Sequence, residues 1–381
     1  MPLTGVRVLD LSRLLPGPFA TMILAGLGAD VVKVEDLDGG DYMRWMAPLQ
    51  EGTSVMFTSL NRGKRSLRLD LKSTRGRQLF LELVERSDVV LESFRPGVLD
   101  RLGLGVAALH EHNPRLVVCS ISGFGQDGPD RLLVGHDLNY LARAGALGIT
   151  GTGDGRPVAP GVQIADIGGG SLGAVAAILA ALRLRDRTGA GSHCDVSMVD
   201  GVLSWMSPHI AAVLHGSPSQ PAQMLLNGGH PCYRVYRCAD GWMSVAALEP
   251  KFWTQLCELL DVADISDGAF ATGDEAERVA ARLESALLTG TRAHWRDHFA
   301  GHDVCCEPVL DVNQVVEDAQ VRHRADDVGG ELGWFPFHVG DRGHSPAGSA
   351  PGYGADSRTV LAEVGVDDTE FERLVAARVT A

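Results

Sequence analysis

Three polar side chains, each among glycine or apolar neighbours, are the residues of this sequence best suited to acid–base chemistry. His136 lies in the turn-rich stretch G-H-D-L-N-Y (135–140), Asp166 comes shortly before three glycines in A-D-I-G-G-G-S, and Glu249 ends a strand-like run before Pro250. Histidine titrates near neutral pH, and a carboxylate in a partly desolvated place has a raised pKa, so both can exchange protons under physiological conditions. We therefore expect the fold to bring His136, Asp166 and Glu249 to one pocket.

Each of the three residues also has a purely structural explanation. His136 could be a turn histidine with local hydrogen bonds. Asp166 and Glu249 both precede helix-like segments, where a carboxylate is a common N-terminal cap. The glycines after Asp166 favour a functional role, because they let a substrate approach the backbone closely. The sequence alone leaves both interpretations open for each residue.

Alternating strand and helix patterns in the first half of the chain predict an open α/β layer. Apolar runs typical of buried strands, separated by helical patterns, occur at 6–11, 29–35, 66–71, 88–92 and 116–121. Such βαβ units form parallel sheets with right-handed crossovers, and ligands bind outside the carboxyl ends of the strands. We therefore predict a Rossmann-like parallel-sheet domain. No G-x-G-x-x-G follows the first strand and no G-x-x-x-x-G-K-[ST] occurs, so the usual nucleotide fingerprints are missing.

The length of 381 residues exceeds what one hydrophobic core usually accommodates, so more than one domain is expected. Pro and Ser cluster at 217–221, and a hairpin pattern with helical segments follows. We predict a large α/β domain over residues 1–221 and a smaller α+β domain over 222–325. The segment 326–381 is expected to return to the large domain.

Composition limits the kinds of partner and the compartment. The formal net charge of −14 argues against a general nucleic-acid binder, whose footprint is basic. Seven scattered cysteines without a C-x-x-C pair indicate reduced thiols and no metal site. The first residues lack the apolar stretch of a signal peptide, and the apolar run 172–184 is too short to cross a bilayer. We predict a soluble, cytoplasmic protein without nucleic-acid or membrane partners.

A locally basic stretch, N-R-G-K-R-S-L-R-L-D-L-K (61–72), stands out in this acidic chain. It is explained either as a solvated surface or as a grip on ligand phosphates. The candidates for phosphate binding are four cations of this stretch and two further arginines that would add to them: Lys64, Arg65, Arg68, Lys72, Arg95 and Arg101.

Five motifs occur in a fixed order: L-x-P-G-P, G-A-D-V-V-K-V-E, N-R-G-K-R-S-L-x-L-D-L-K, F-R-P-G-V-x-x-x-L-G-L and S-G-F-G-Q-x-G-P. With these motifs the whole chain resembles the class III CoA-transferase (CaiB/BaiF) superfamily. Three further segments are similar to its alpha-methylacyl-CoA racemase branch. They are G-H-D-L-N-Y, A-D-I-G-G-G-S, and N-G-G-H-P-C-Y-R-V-Y-R-C-A-D-G followed by A-L-E-P-K-F-W.

The resemblance implies an acyl-CoA thioester substrate, two interlocked subunits, and no metal or redox cofactor, coenzyme A being part of the substrate. It implies that His136 and Asp166 are the acid–base pair and that Glu249 is their neighbour. Two stretches match CoA-contacting segments of the racemases, with the residues Leu69, Asp70, Leu71, Lys72, Gly135, Asp137, Leu138, Asn139 and Tyr140. The chain departs from the racemases at Asp36, where they tend to have an arginine, and in the longer segment 39–61, which is closer to the transferases.

Three functions fit these residues. The first is racemisation at C2 of a 2-methylacyl-CoA, in which one base removes the α-proton and a second group returns a proton to the opposite face. The second is CoA transfer between carboxylic acids with Asp166 as the nucleophile. The third is non-catalytic binding of CoA thioesters. We favour the racemase, because it needs the second base that His136 supplies, whereas transferases do not require a histidine there.

Overall fold

The computed structural model describes residues 1–328, 331–339 and 348–381, and these form two compact units. The first unit comprises Met1–Ala144, Pro160–Trp205 and Arg324–Ala381, and the second comprises Gly145–Ala159 and Met206–His323. The division thus falls inside a continuous helix, Met198–Leu214, and not at the Pro- and Ser-rich stretch that follows it. Within the predicted C-terminal segment 326–381, residues 329–330 and 340–347 lie outside the described part of the chain.

The strands of the described chain are two to six residues long. They are β1 (Arg7–Asp10), β2 (Asp30–Glu35), β3 (Leu49–Gln50), β4 (Thr53–Ser54), β5 (Arg65–Arg68), β6 (Val89–Glu92), β7 (Val117–Ser122), β8 (Ser192–Ser197), β9 (Tyr233–Cys238), β10 (Gly241–Ala246), β11 (Cys306–Pro308), β12 (Asp326–Val328) and β13 (Glu331–Gly333).

Helices connect these strands in both units. They are α1 (Pro16–Gly26), α2 (Val55–Asn61), α3 (Thr74–Val84), α4 (Val98–Arg101), α5 (Val106–His112), α6 (Asp137–Arg143), α7 (Ala146–Ile149), α8 (Gly173–Thr188), α9 (Met198–Leu214), α10 (Pro250–Leu259), α11 (Gly273–Leu287), α12 (Arg292–His298), α13 (Val312–Val315), α14 (Ala319–Arg324), α15 (Ser357–Ala362) and α16 (Asp368–Ala376). Two 3-10 helices (Tyr42–Trp45 and Ala263–Gly268) and a π-helix (Ile164–Leu172) complete the set for the described residues.

A parallel sheet forms the centre of the first unit. Within the described residues its six strands lie in the order β5-β2-β1-β6-β7-β8, and in its middle Leu9 pairs with Val32 on one side and with Val90 on the other. The Val-rich strands are buried on both faces, as expected of a parallel sheet covered by helices. The predicted Rossmann-like fold is confirmed. Because the strand order reverses between β1 and β6, the loops after these strands diverge and leave a crevice.

The C-terminal helices belong to the core of the first unit. Leu361 and Leu374 pack in the same apolar cluster as Leu67 and Phe80 from the sheet and its helices. The segment is also fixed by hydrogen bonds to the edge strand, since the N–H of Ser66 donates to Asp356 Oδ2 at 2.8 Å. The last residues of the chain therefore cover one side of the sheet.

The apolar run that the sequence places at 172–184 is part of a longer helical segment. The π-helix continues directly into α8, so Ile164–Thr188 is helical over 25 residues with a mean hydropathy of 1.7 in its most apolar window. By length and composition this segment could cross a bilayer, so the prediction of a run too short to do so was wrong. The glycines after Asp166 are part of this helical segment. In the first unit the segment packs against α1, β7 and β8, and core helices of soluble proteins meet the same length and composition criteria.

The second unit has a small antiparallel sheet packed on helices. All of its residues are described, and its three strands lie in the order β11-β10-β9, with β9 and β10 forming the predicted hairpin. Trp253 of α10 and Leu283 of α11 are buried in its apolar core.

Candidate active site

A cavity of about 800 Å³ opens in the first unit at the carboxyl ends of β1, β6 and β7. Arg13 follows β1, the loop 93–96 follows β6, and Gly123 follows β7 in its wall. This is the place where the strand order reverses, which is the usual ligand position in open α/β sheets. The carboxyl ends of these strands thus form the floor of the cavity, and α6, the π-helix, Tyr42 and the segment 131–134 contribute to its wall.

The segment that carries His136 is fixed by its own backbone. His136 is the residue before the first turn of α6, where its N–H donates to Asn139 Oδ1 at 3.1 Å and its carbonyl accepts the N–H of Asn139 at 2.8 Å. Tyr140 donates its hydroxyl to the carbonyl of Gly135 at 2.5 Å, and its ring meets Phe124 edge to face at 5.5 Å. These contacts hold the exposed imidazole of His136 in the cavity wall.

Asp137 joins the His136 segment to the backbone of Asp166. Its Oδ1 accepts the N–H of Ala165 at 2.6 Å and the N–H of Asp166 at 3.0 Å. The prediction assigned Asp137 to contacts with CoA, but this oxygen satisfies two backbone donors at the start of the π-helix. The residue beside His136 therefore sets the position of Asp166.

Asp166 is a half-buried carboxylate in the wall of the same cavity. Burial and the nearby negative charge of Asp137 raise the pKa of Asp166 to about 6, although the neighbouring His136 opposes the shift. Among the described residues no group hydrogen-bonds to this carboxylate, so the capping explanation does not describe it. A carboxyl group with a pKa of about 6 can give up and take a proton near neutral pH.

Glycines let the π-helix that carries Asp166 pack closely on α9. A Cβ built on Gly201 would lie 2.4 Å from the Cα of Gly169, which is backbone and cannot rotate away. We therefore expect Gly201→Ala to displace the π-helix, to destabilise the protein by about 1–3 kcal/mol and to lower activity more than tenfold. Urea denaturation and the turnover assay described below measure both effects. Gly148→Ala, a helical glycine with open space around it, is the control, and equal behaviour of the two variants would contradict the prediction.

Arginines give the cavity a cationic wall in an otherwise acidic protein. Arg13, Arg95 and Arg131 all line it. Arg13 pairs with Asp36. In the described part of the chain neither Arg95 nor Arg131 forms an ion pair, so both can meet an anionic ligand. Sequence reasoning missed Arg13 and Arg131; the only signal was their position in loops that follow strands.

Comparison with known proteins decides the family. The sequence pattern of CoA-transferase family III matches residues 3–356 of this chain. The chain belongs to CoA-transferase family III. Its curated relatives include human "Alpha-methylacyl-CoA racemase", 38% identical over 330 residues that cover 85% of this chain and 82% of the relative. They also include mouse "Succinyl-CoA:glutarate CoA-transferase", 34% identical over 329 residues that cover 84% of this chain and 75% of the relative.

A solved structure of a CAIB/BAIF family protein from Brucella suis shares the fold of this family III chain. The two superpose with a TM-score of 0.83 at 32% sequence identity, over 96% of this chain and 99% of the other. The chain is therefore an enzyme of a superfamily that contains both racemases and CoA-transferases.

The structure of the family III enzyme brings only some of the predicted contacts to the cavity. Those in its wall are His136, Asp166, Arg95, Gly135, Asn139 and Tyr140. The other predicted contact residues of the first unit do not line the cavity: Leu69, Asp70, Leu71, Lys72, Arg101, Asp137 and Leu138. Leu69 is buried and forms an antiparallel bridge with Thr380, whereas Lys72 is exposed. The role of these residues in binding CoA stays a prediction.

Lys64 is neither a solvated surface cation nor a grip on phosphates, so both explanations offered by the sequence were wrong. Its ammonium group is fully buried and donates to Asn61 Oδ1 at 2.8 Å and to the carbonyl of Pro18 at 3.0 Å. Its ion-pair partner is Asp10, at 3.5 Å. The neighbouring Arg65 is also used internally, in ion pairs with Asp30 and Glu363.

Glu249 lies in the second unit at the start of α10. Its carbonyl accepts the N–H of Phe252 at 3.0 Å and that of Trp253 at 3.2 Å, while its exposed carboxylate makes no capping hydrogen bond. The side-chain cap that the sequence offered as an explanation is therefore absent in this fully described unit. The catalytic role of Glu249 stays a prediction.

Proposed function

We propose that this enzyme racemises the C2 centre of a 2-methylacyl-CoA thioester by a two-base proton transfer. The observation that carries the proposal is the presence of an imidazole (His136) and a free carboxylate with a raised pKa (Asp166) in the wall of one cavity. Inversion at carbon needs two such groups, because the proton leaves from one face and returns to the other. Arg95 and Arg131 suit the negative charges of a CoA ester.

The proposed reaction proceeds through an enolate. The thioester carbonyl acidifies the α-hydrogen, and in one direction the ionised Asp166 takes it as a proton. The electron pair of the C–H bond moves into the enolate, and protonated His136 then delivers a proton to the opposite face. In the reverse direction the two groups exchange roles. A carboxyl pKa of about 6 is matched to this task, since either form is accessible near neutral pH.

CoA transfer is the second candidate, favoured by the absence of hydrogen bonds to the carboxylate of Asp166 among the described residues. In this reaction Asp166 attacks the thioester carbonyl, the CoA thiolate leaves, and an acyl–aspartyl anhydride remains. The thiolate then attacks the aspartyl carbonyl and releases the first carboxylic acid. The acceptor carboxylate attacks this aspartyl-CoA thioester and expels the CoA thiolate. The thiolate then attacks the acceptor carbonyl of the new anhydride, which releases the product acyl-CoA and restores the Asp166 carboxylate. Here His136 would be a substrate contact and not a base.

One experiment separates the candidates. The protein is incubated with (2S)-2-methylacyl-CoA in D2O with and without free succinate, while NMR follows the C2 proton and a coupled assay follows succinyl-CoA. We expect deuterium at C2 with inversion and no succinyl-CoA, and a loss of about 100-fold or more in His136→Ala. Succinyl-CoA without deuterium would instead establish the transferase. Tight binding of CoA with neither reaction would favour the non-catalytic role.

From the resemblance we further propose an interlocked homodimer and a cytoplasmic location, with no resident metal or redox cofactor.

A further inference from the structure

Glu92 is a buried carboxylate that neither reaction above uses. It ends β6 in the middle of the parallel sheet, is 4% exposed, and lies opposite Ser120 on β7. A carboxylate at such a place costs folding free energy unless its partners compensate it, and an apolar residue like the preceding Leu91 would fit the sheet. The groups around Glu92 therefore indicate what its carboxylate does.

Those partners connect the active-site cavity with the protein surface. On one side, Glu92 Oε2 accepts the N–H of Phe94 at 2.7 Å. On the other side, Glu92 lies opposite Ser120, which helps to keep the pKa of Glu92 from rising further, and the hydroxyl of Ser120 lies 3.0 Å from Nε2 of His193. His193 is exposed on the edge strand β8. Ser120 and His193 thus lie in line between the buried carboxylate and solvent.

The loop 93–96 connects Glu92 to the cavity. Ser93, Phe94 and Arg95 all line the cavity, and Arg95 is one of its two arginines without an ion pair among the described residues. The hydroxyl of Ser93 also accepts the N–H of Arg13 at 3.4 Å. The loop is therefore held from below by Glu92 and from the side by the turn after β1.

We propose that Glu92 is a positioning residue for loop 93–96, and that its protonation state, exchanged with solvent through Ser120 and His193, sets how firmly this loop holds the acyl-CoA substrate. The inference rests on the proposed assignment of the cavity to a CoA thioester, but it applies equally to racemisation and to CoA transfer.

The sign of the effect follows from the charge on Glu92. Burial, with Asp195 and Asp100 as further negative neighbours, raises the pKa of Glu92 to about 7, against the hydrogen bonds from Ser120 and Phe94. An ionised carboxylate is a stronger acceptor for the Phe94 N–H than a protonated one. The other titratable neighbours are Cys119, whose pKa the charge of Glu92 helps to raise, and His193, whose pKa is lowered because its ring is partly covered where it meets Ser120. The loop is therefore held more firmly above pH 7 than below it.

The first test needs no ligand. Amide hydrogen exchange at Phe94, expressed as the ratio of intrinsic to observed rate, is measured from pH 6 to pH 8. In the wild type we expect about tenfold more protection at pH 8 than at pH 6, because the acceptor becomes charged. Glu92→Gln keeps the shape and an acceptor but cannot ionise, so its protection should not change with pH. Ser120→Ala removes a hydroxyl that favours the ionised form of Glu92. The pH at which Phe94 protection changes should therefore be higher in this variant. A wild-type ratio independent of pH would overturn the inference.

The second test asks whether the loop matters for the substrate. Glu92→Gln should raise KM for the acyl-CoA several-fold at pH 8 with kcat nearly unchanged, and the difference should vanish at pH 6. Glu111→Gln, an exposed carboxylate on α5, is the matched control. Weakened Phe94 protection with an unchanged KM would overturn the positioning role. Wild-type protein without turnover or CoA binding would overturn the proposed function instead, while the exchange ratios would still decide whether Glu92 controls the loop.

Discussion

Asp166→Asn is expected to lower the rate of α-proton exchange by a factor of about 1,000 or more. The same substitution should make the protein more stable at neutral pH. The amide keeps the shape of the side chain but can neither accept the α-proton nor return it. The same loss is expected for CoA transfer, since an amide is no nucleophile. The measurement is deuterium incorporation at C2 by NMR, beside succinyl-CoA formation.

The stability gain follows from the raised pKa of Asp166, about 6 in the fold against 3.8 for an unperturbed carboxyl. The folded state therefore binds the proton more tightly than the unfolded state. Below about pH 4 the carboxyl is protonated in both states and does not change the free energy of unfolding. Between pH 4 and about 6 its ionisation in the unfolded chain destabilises the fold, and above this range the cost is constant, on the order of 1–2 kcal/mol after allowance for its exposure. Asp166→Asn lacks this penalty. Its advantage in urea denaturation should be full at pH 7.5 and should shrink towards pH 4.5.

The control for both effects is Asp186→Asn, an exposed carboxylate on α8 in the same unit. It should change neither deuterium exchange nor the urea midpoint measurably. Exchange within tenfold of the wild type in Asp166→Asn would remove Asp166 from the chemistry. A destabilised Asp166→Asn at pH 7.5 would show that the carboxylate has stabilising contacts in solution.

Asp10→Asn is expected to have the largest effect on stability, a loss of about 3–5 kcal/mol, because it removes a buried carboxylate that stabilises the charges of the buried Lys33 and Lys64. Asp10 is fully buried beside Lys64 and accepts the hydroxyls of Ser12 and Thr21. Burial by itself would raise the pKa of Asp10, but Lys33, Lys64 and these hydroxyls hold it below its ordinary value. A loss of this size corresponds to a melting temperature lower by roughly 6–20 °C.

Lys64→Met tests the same pair from the other side and should cost less. Burial lowers the pKa of Lys64 to about 7 although Asp10 opposes the shift, so near pH 7 its charge is already partly lost. Between pH 7 and the ordinary lysine value of 10.5 the unfolded chain binds a proton that the folded chain has released. The free energy of unfolding of the wild type should therefore increase with pH over this range, and that of Lys64→Met should not show this increase. A larger loss in Lys64→Met than in Asp10→Asn at pH 7.5 would contradict this account.

The buried charges also matter for the cavity. Lys33 pairs with Asp41 at 2.9 Å, and Asp41 Oδ1 accepts the N–H of Leu14 at 3.1 Å. Leu14 is in the left-handed region with φ of 62°, a conformation that needs such support, and it lines the cavity beside Arg13. Substitutions of Lys33 or Asp41 that the fold tolerates should therefore raise the KM for the acyl-CoA, because they loosen the support of Leu14.

The sequence by itself determined the elements and the family. Runs such as V-V-K-V and L-V-V-C-S-I are rich in apolar β-branched residues, and with helical patterns between them they predict a parallel sheet. The ordered motifs were enough to assign the family, and the glycine-flanked His136 and Asp166 were enough to name the candidates for acid–base chemistry. Each of these signals is local, so it can be read from neighbouring residues.

Only the tertiary structure decided what individual polar groups do. Asp137 was expected to meet CoA, but residues 165 and 166, far along the chain, supply the N–H groups that it accepts. Lys64 reads as a surface cation until α1 and β1 are seen to enclose it. The pKa values of Asp166 and Glu92 depend on the desolvation that distant elements impose. Desolvation and long-range hydrogen bonds arise only when the chain is packed, because no local pattern records which element will cover a side chain.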